Sequence, residues 1–66
     1  MKWDVIERNW PHYRRVVKLR WTRLDEVSLS ACAGKREKIA VLIQEEYGAS
    51  PGEADEQLAA WLDSQS

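Results

Sequence analysis

Residues 3–24 read WDVIERNWPHYRRVVKLRWTRL. Trp3, Ile6, Trp10, Tyr13, Val17, Trp21 and Leu24 recur there at intervals of three or four. At 100° per residue these positions share one narrow arc, the apolar face of a helix. Pro11 interrupts the run. Asn9 is a favoured N-cap residue, and a proline in the first turn lacks only an N–H that has no helical partner there. Proline also pushes Trp10 away from helical geometry. The stretch thus predicts a short helix over residues 3–8 and a longer one over 10–21. Whether the two are nearly collinear across a kink stays open.

Outward from this stretch the period remains helical. Asp25 caps a predicted helix over 26–33, with Leu29, Cys32 and Ala33 inward, and Gly34 ends it by taking positive φ. Residues 35–47 follow, with Ile39, Ile43 and Tyr47 on one face and Gly48 at the stop. Ser50-Pro51-Gly52-Glu53 is a capping box with proline at the first helical position. It opens a helix to Leu62 that presents Ala54, Leu58, Trp61 and Leu62. No segment alternates with period two, so no strand is expected. The fold class is all-α: four to five short helices packed as helical hairpins. Residues 1–62 form the single domain, and 63–66 a frayed tail.

The chain has 66 residues and a net charge of −1. That length holds one domain, and at this size folding buries only about 60% of the unfolded surface. It excludes a large substrate cleft, a dinucleotide-binding fold and a multi-domain enzyme. Four Trp, two Tyr and 44% hydrophobic residues exclude a disordered polar chain. One cysteine allows no internal disulfide, which points to a reducing cytoplasm. No signal peptide is visible, and the longest apolar run, Ile39 to Ile43, is far too short to span a bilayer.

Charge is uneven along the chain. Residues 1–24 carry seven Lys or Arg against two acids, and residues 25–66 three against nine. Such a split marks either a nucleic-acid or membrane surface, or two halves that face each other across their seams. The second reading is preferred, because nucleic-acid domains are usually basic throughout. Arg14, Arg15 and Lys18 are the candidate phosphate contacts under the first.

Candidate chemistry is sparse. His12 and Cys32 stand alone of their types, and nothing supplies an oxyanion loop or an orienting third group. Cys32 reads as a small buried hydrophobe. One His and one Cys cannot fill a zinc shell. The acids around Glu45, Glu46, Glu53, Asp55 and Glu56 lack calcium-loop spacing, and three of them suit the positive end of a helix. Gly34-Lys35-Arg36 is too short for a phosphate loop. No enzyme, cofactor, metal or small-molecule substrate is therefore expected. The tryptophans sit at core spacing rather than as a stacking platform.

A pattern runs through these positions: Trp3-Asp4, Ile6-Glu7, Asn9-Trp10, Trp21, Leu24, Ala33-Gly34-Lys35-Arg36, Ile43-Gln44-Glu45, Tyr47-Gly48, Glu53-Ala54, Gln57 and Trp61. In this order and spacing the chain resembles the CsbD-like family of small bacterial proteins, nearly collinearly from Met1 to Trp61. The resemblance implies a bundle of helical hairpins, a bacterial cytoplasmic setting and a part in the general stress response. It implies no catalytic activity. Relatives tend to carry Lys or Gly where this chain has Val16, Leu19, Val41 and Leu42, and a polar residue at Pro11. Val5, His12, Val16 and Leu19 also form a second stripe beside the aromatic one. Val5, Val16, Leu19, Val41 and Leu42 are therefore the candidate contacts for self-association or a protein partner.

Overall fold

The computed structural model describes residues 1–65. Its five helices are α1 (Trp3–Arg8), α2 (Trp10–Arg20), α3 (Glu26–Cys32), α4 (Arg36–Tyr47) and α5 (Pro51–Ser64). No strand occurs among the described residues. Each helix packs on its neighbour in the chain, α4 against α5 most extensively. The radius of gyration is 10.6 Å. A close-packed chain of this length is expected near 11 Å, so α1 is folded onto the body and does not project from it.

The aromatic stripe is the core stripe. Ile6, Val17, Trp21 and Leu24 have no exposed surface, Trp10 retains 7%, and Trp3 and Tyr13 pack half-buried at the margin. Leu29, Cys32, Ile39, Ile43, Ala54, Leu58 and Trp61 complete the core. No polar or charged residue is buried among the described residues. The interior is thus apolar throughout, the condition under which so small a core stabilises a fold.

The break between α1 and α2 lies at Asn9, where φ is −110° and ψ is 34°. These are two helices, not one. Asn9 occupies the N-cap position, but its side chain does not cap α2: Nδ2 donates backward to the Val5 carbonyl at 3.0 Å. That carbonyl lies in the last turn of α1 and also accepts the Asn9 backbone N–H at 3.2 Å. The asparagine thus opens α2 with its backbone carbonyl, which accepts the Tyr13 N–H at 3.1 Å, while its side chain closes α1.

The other caps follow local rules. Asp25 accepts from the Ser28 N–H at 3.1 Å. Ser50 Oγ accepts from the Glu53 N–H, and Glu53 accepts from the Ser50 N–H, closing the box. Those bonds hold the Glu53 carboxyl below the usual glutamate range. Removal of the hydroxyl in Ser50→Ala is expected to cost about 1 kcal/mol, measured by urea unfolding.

Several boundaries and faces differ from the sequence reading. α3 ends at Cys32, so Ala33 is not an inward helical residue. It is exposed and left-handed at φ 52°, followed by Gly34 at φ 78°. Lys35 is the N-cap of α4 rather than its first residue. Tyr47 is 37% exposed instead of core, because it lies in the last turn at the edge of the bundle. Its hydroxyl accepts the Arg23 N–H at 3.0 Å, tying α4 to the turn after α2. α5 continues two residues past Leu62, where Ser64 Oγ donates to the Trp61 carbonyl at 2.6 Å. Of the expected tail, Ser66 lies outside the described residues.

The charge split does not pair the two halves. The one ion pair joining residues 1–24 to the rest, among the described residues, is Lys35 with Glu7, a base from the acidic part and an acid from the basic part. Asp4–Arg8 and Arg36–Asp55 each stay within their own part. Long cationic side chains of the first third reach carbonyls and a hydroxyl instead. Lys18 Nζ donates to the Thr22 and Leu24 carbonyls, Arg14 to Ser30 Oγ, and Arg23 to the Glu46 carbonyl. The end of α2 and the turn after it expose unpaired acceptors that cations satisfy well.

Candidate interaction face

The residues of the family-like pattern converge, and they do so as a framework rather than a reactive site. Three indoles donate across the fold. Trp3 Nε1 binds the Gly34 carbonyl at 2.7 Å, Trp10 Nε1 the Leu29 carbonyl at 2.9 Å, and Trp21 Nε1 the Gln57 Oε1 at 3.0 Å. Leu29 lies in the last turn of α3, so Trp10 satisfies an acceptor from a helix end. Around Gly34 the contacts concentrate. Lys35 pairs with Glu7, Arg36 lies over the Trp3 ring at 5.8 Å, and Arg36 also pairs with Asp55 at 3.0 Å. The Glu7 carboxylate raises the pKa of Lys35 by hydrogen bonding and by its charge. Trp61 gathers the rings, with centroids 6.0 Å from Trp3, 6.0 Å from Trp21 and 6.3 Å from Tyr13. Sequence spacing marked these residues as core. It carried no signal of which carbonyl each indole meets, because those partners lie 19 to 36 residues away.

His12 is exposed and stacks edge-on to Tyr13 at 4.8 Å, while Cys32 is buried at the end of α3. No hydrogen bond joins them among the described residues. Burial pushes the Cys32 thiol up, partly opposed by the charge of Lys38. Its native alkylation is expected to be about a hundred-fold slower than in urea, since access requires local opening. The sign for pH follows from the same shift. The folded chain holds the thiol proton at pH values where the unfolded chain releases it, so stability falls as pH rises above about 9. Cys32→Ala should flatten that alkaline loss in urea titrations. Among the described residues no group of three His, Cys, Asp or Glu side chains is placed to hold a metal ion.

The candidate contact residues occupy different surroundings. Val16 and Leu42 are half-buried against the core. Val5 is 37% exposed, Val41 48% and Leu19 80%. Val27, which spacing had not marked, is 76% exposed. A shallow groove of about 500 Å³ runs between α3 and α4, lined chiefly by Ala31, Cys32, Val41 and Leu42 with Glu37 and Lys38 at its rim. It takes in two of the five candidates. Val5, Val16 and Leu19 lie on α1 and α2, outside it. Of the candidate phosphate contacts, Arg14 and Lys18 have the intramolecular partners given above, and Arg15 is exposed. No helix is long and apolar enough to cross a membrane among the described residues.

No family model and no solved structure matches the chain. Curated proteins do. A UPF0337 protein of Nitrosomonas europaea is 34% identical over 61 residues, 92% of this chain, and this chain spans 65% of that relative's length. The UPF0337 protein YjbJ of Escherichia coli K12 is 30% identical over 61 residues, covering 92% of this chain and 88% of YjbJ. A UPF0337 protein of Pectobacterium atrosepticum is 30% identical over 63 residues, 96% of this chain and 91% of its own. With likeness at that level along nearly the whole of this chain and most of YjbJ and the Pectobacterium relative, and with the tryptophan and glycine pattern accounted for as one framework, the chain belongs to the UPF0337 family, the CsbD-like proteins.

Proposed function

We propose that this chain is a non-enzymatic bacterial stress-response protein that acts in the cytoplasm through protein association. The observation that carries the reading is apolar surface left outside a filled core. Leu19 at 80%, Val27 at 76% and Val41 at 48% exposure remain on a chain with twelve buried core residues. Side chains that contribute nothing to folding are free to contribute to contact, and exposed apolar patches commonly mark contact surfaces. The stress role is drawn from the family resemblance. Phosphate contact through Arg14, Arg15 and Lys18 has less to draw on, since two of the three already satisfy groups within the chain.

The test uses the full chain and a triple variant, Leu19→Glu, Val27→Glu and Val41→Glu. Substitutions at such exposed positions leave stability nearly unchanged. A strain lacking the gene should survive osmotic or stationary-phase stress less well, and the wild-type chain should restore survival. The reading expects the triple variant to fold, by circular dichroism and thermal melting, and to fail in rescue. Full rescue by a folded triple variant would overturn it. Binding of DNA or RNA at 50 mM salt, lost as salt rises, would instead favour phosphate contact.

A further inference from the structure

We infer that the outer face of α4 is self-complementary and docks a second copy of this chain. The inference rests on the association reading above and names its partner. Glu37 and Val41 stand one turn apart on α4 and line two furrows. On one side lies the α3–α4 groove with Ala31, Cys32 and Leu42. On the other, Ala40, Gln44 and Pro51 line a second of about 470 Å³ between α4 and α5. The pair is thus a ridge of i, i+4 side chains flanked by furrows, the relief by which helices interdigitate. A two-fold axis would lay the ridge of one copy in the α3–α4 groove of the other, and the reverse, in one isologous contact.

Charge selects this occupant and this furrow. The side chains of Glu37 and Lys38 are exposed and make no hydrogen bond or ion pair within the chain, among the described residues. The α4–α5 furrow, which Glu37 also lines, has its one cation, Arg36, already matched by Asp55 at 3.0 Å. The α3–α4 groove carries the unmatched Lys38 at its rim. A second copy brings Glu37 on its ridge to that rim, followed one turn later by Val41 toward Ala31 and Leu42. Each copy's Glu37 then meets the other's Lys38. Val27, one turn before Ala31 on α3, extends the apolar margin.

A contact limited to one helix pair is small, so the expected dissociation constant is weak, on the order of 10–100 µM. Sedimentation velocity from about 5 to 500 µM should show a monomer–dimer equilibrium that weakens several-fold at high salt. Val41→Glu should raise the dissociation constant at least tenfold with an unchanged melting temperature, and Leu19→Glu should leave it unchanged. Glu37→Lys and Lys38→Glu should each weaken association, and the double exchange should restore it, because a two-fold contact sees only the swapped pair. A strictly monomeric wild type, or a double exchange no better than the single ones, would overturn the inference. A monomer whose triple variant still loses stress rescue would overturn self-docking alone and leave association with another protein standing.

Discussion

Gly34→Ala is expected to destabilise the chain by roughly 2–4 kcal/mol, a drop of about 10–30 °C in melting temperature for a domain of this size. Two independent penalties meet at this residue. Its φ is +78°, a left-handed conformation that costs an L-residue about 1–2 kcal/mol. A Cβ built there would lie 2.9 Å from the Glu7 Cα, which is backbone and cannot swing aside. α1 must then move outward. That movement would lengthen the Trp3–Gly34 hydrogen bond and the Lys35–Glu7 pair together. Chains of this length are stable by only about 3–10 kcal/mol, so the variant approaches the unfolding threshold. Gly48→Ala separates the two penalties. Its φ is +63° with nothing near the added carbon, so it should cost only the conformational part, about 1–2 kcal/mol. Gly52→Ala meets neither penalty and should be neutral or slightly stabilising. Equal losses at Gly34 and Gly48 in urea unfolding would show that close approach of α1 is not what the glycine serves.

These glycines also mark what was legible in the sequence. Local grammar was readable: a helix stop at Gly48, the box at Ser50 and Glu53, the aspartate cap at Asp25 and the seven-residue stripe. Each is decided within one or two turns of chain. Gly34 was readable only as a turn, because its second role depends on Glu7, 27 positions earlier. Asn9 was legible as the N-cap of α2, but the direction of its side chain was not, for a related reason. Its amide fits either end of a helix, and here it joins its own backbone N–H on the Val5 carbonyl. The charge split misled because sequence counts charges but not acceptors. Lys18 and Arg23 have carbonyls at hand, nearer than any carboxylate of the acidic part. Of the candidate contact face, departure from the family pattern marked Val41 and Leu42, while nothing marked Val27 or the rim charges Glu37 and Lys38. An apolar residue at a wide-arc position looks the same whether it is central or exposed.

Trp61→Ala should be among the most damaging single changes, removing the cooperative melt or lowering it by more than 20 °C. Large-to-small changes at buried tryptophan cost about 3–5 kcal/mol, a loss this chain can barely sustain. Trp61 is 6% exposed and touches rings from α1 and α2 at once, so its loss leaves α5 held by Ala54 and Leu58. A paired comparison with Trp21 tells ring packing from hydrogen bonding. The Trp61 indole makes no side-chain hydrogen bond among the described residues, whereas Trp21 Nε1 donates to Gln57 Oε1 at 3.0 Å. Trp61→Phe keeps a ring of reduced area and breaks no hydrogen bond within the chain, among the described residues. Trp21→Phe loses similar area, at a site with no exposed surface, and removes the bond to the half-buried Gln57, a further cost of about 0.5–1.5 kcal/mol. Trp21→Phe should therefore melt below Trp61→Phe. If the two phenylalanine variants melt together, the indole bonds contribute little and the framework is held by ring contact. If they separate as expected, the spaced tryptophans serve two purposes: apolar area for a core that is short of it, and donors that fix which helix end lies against which.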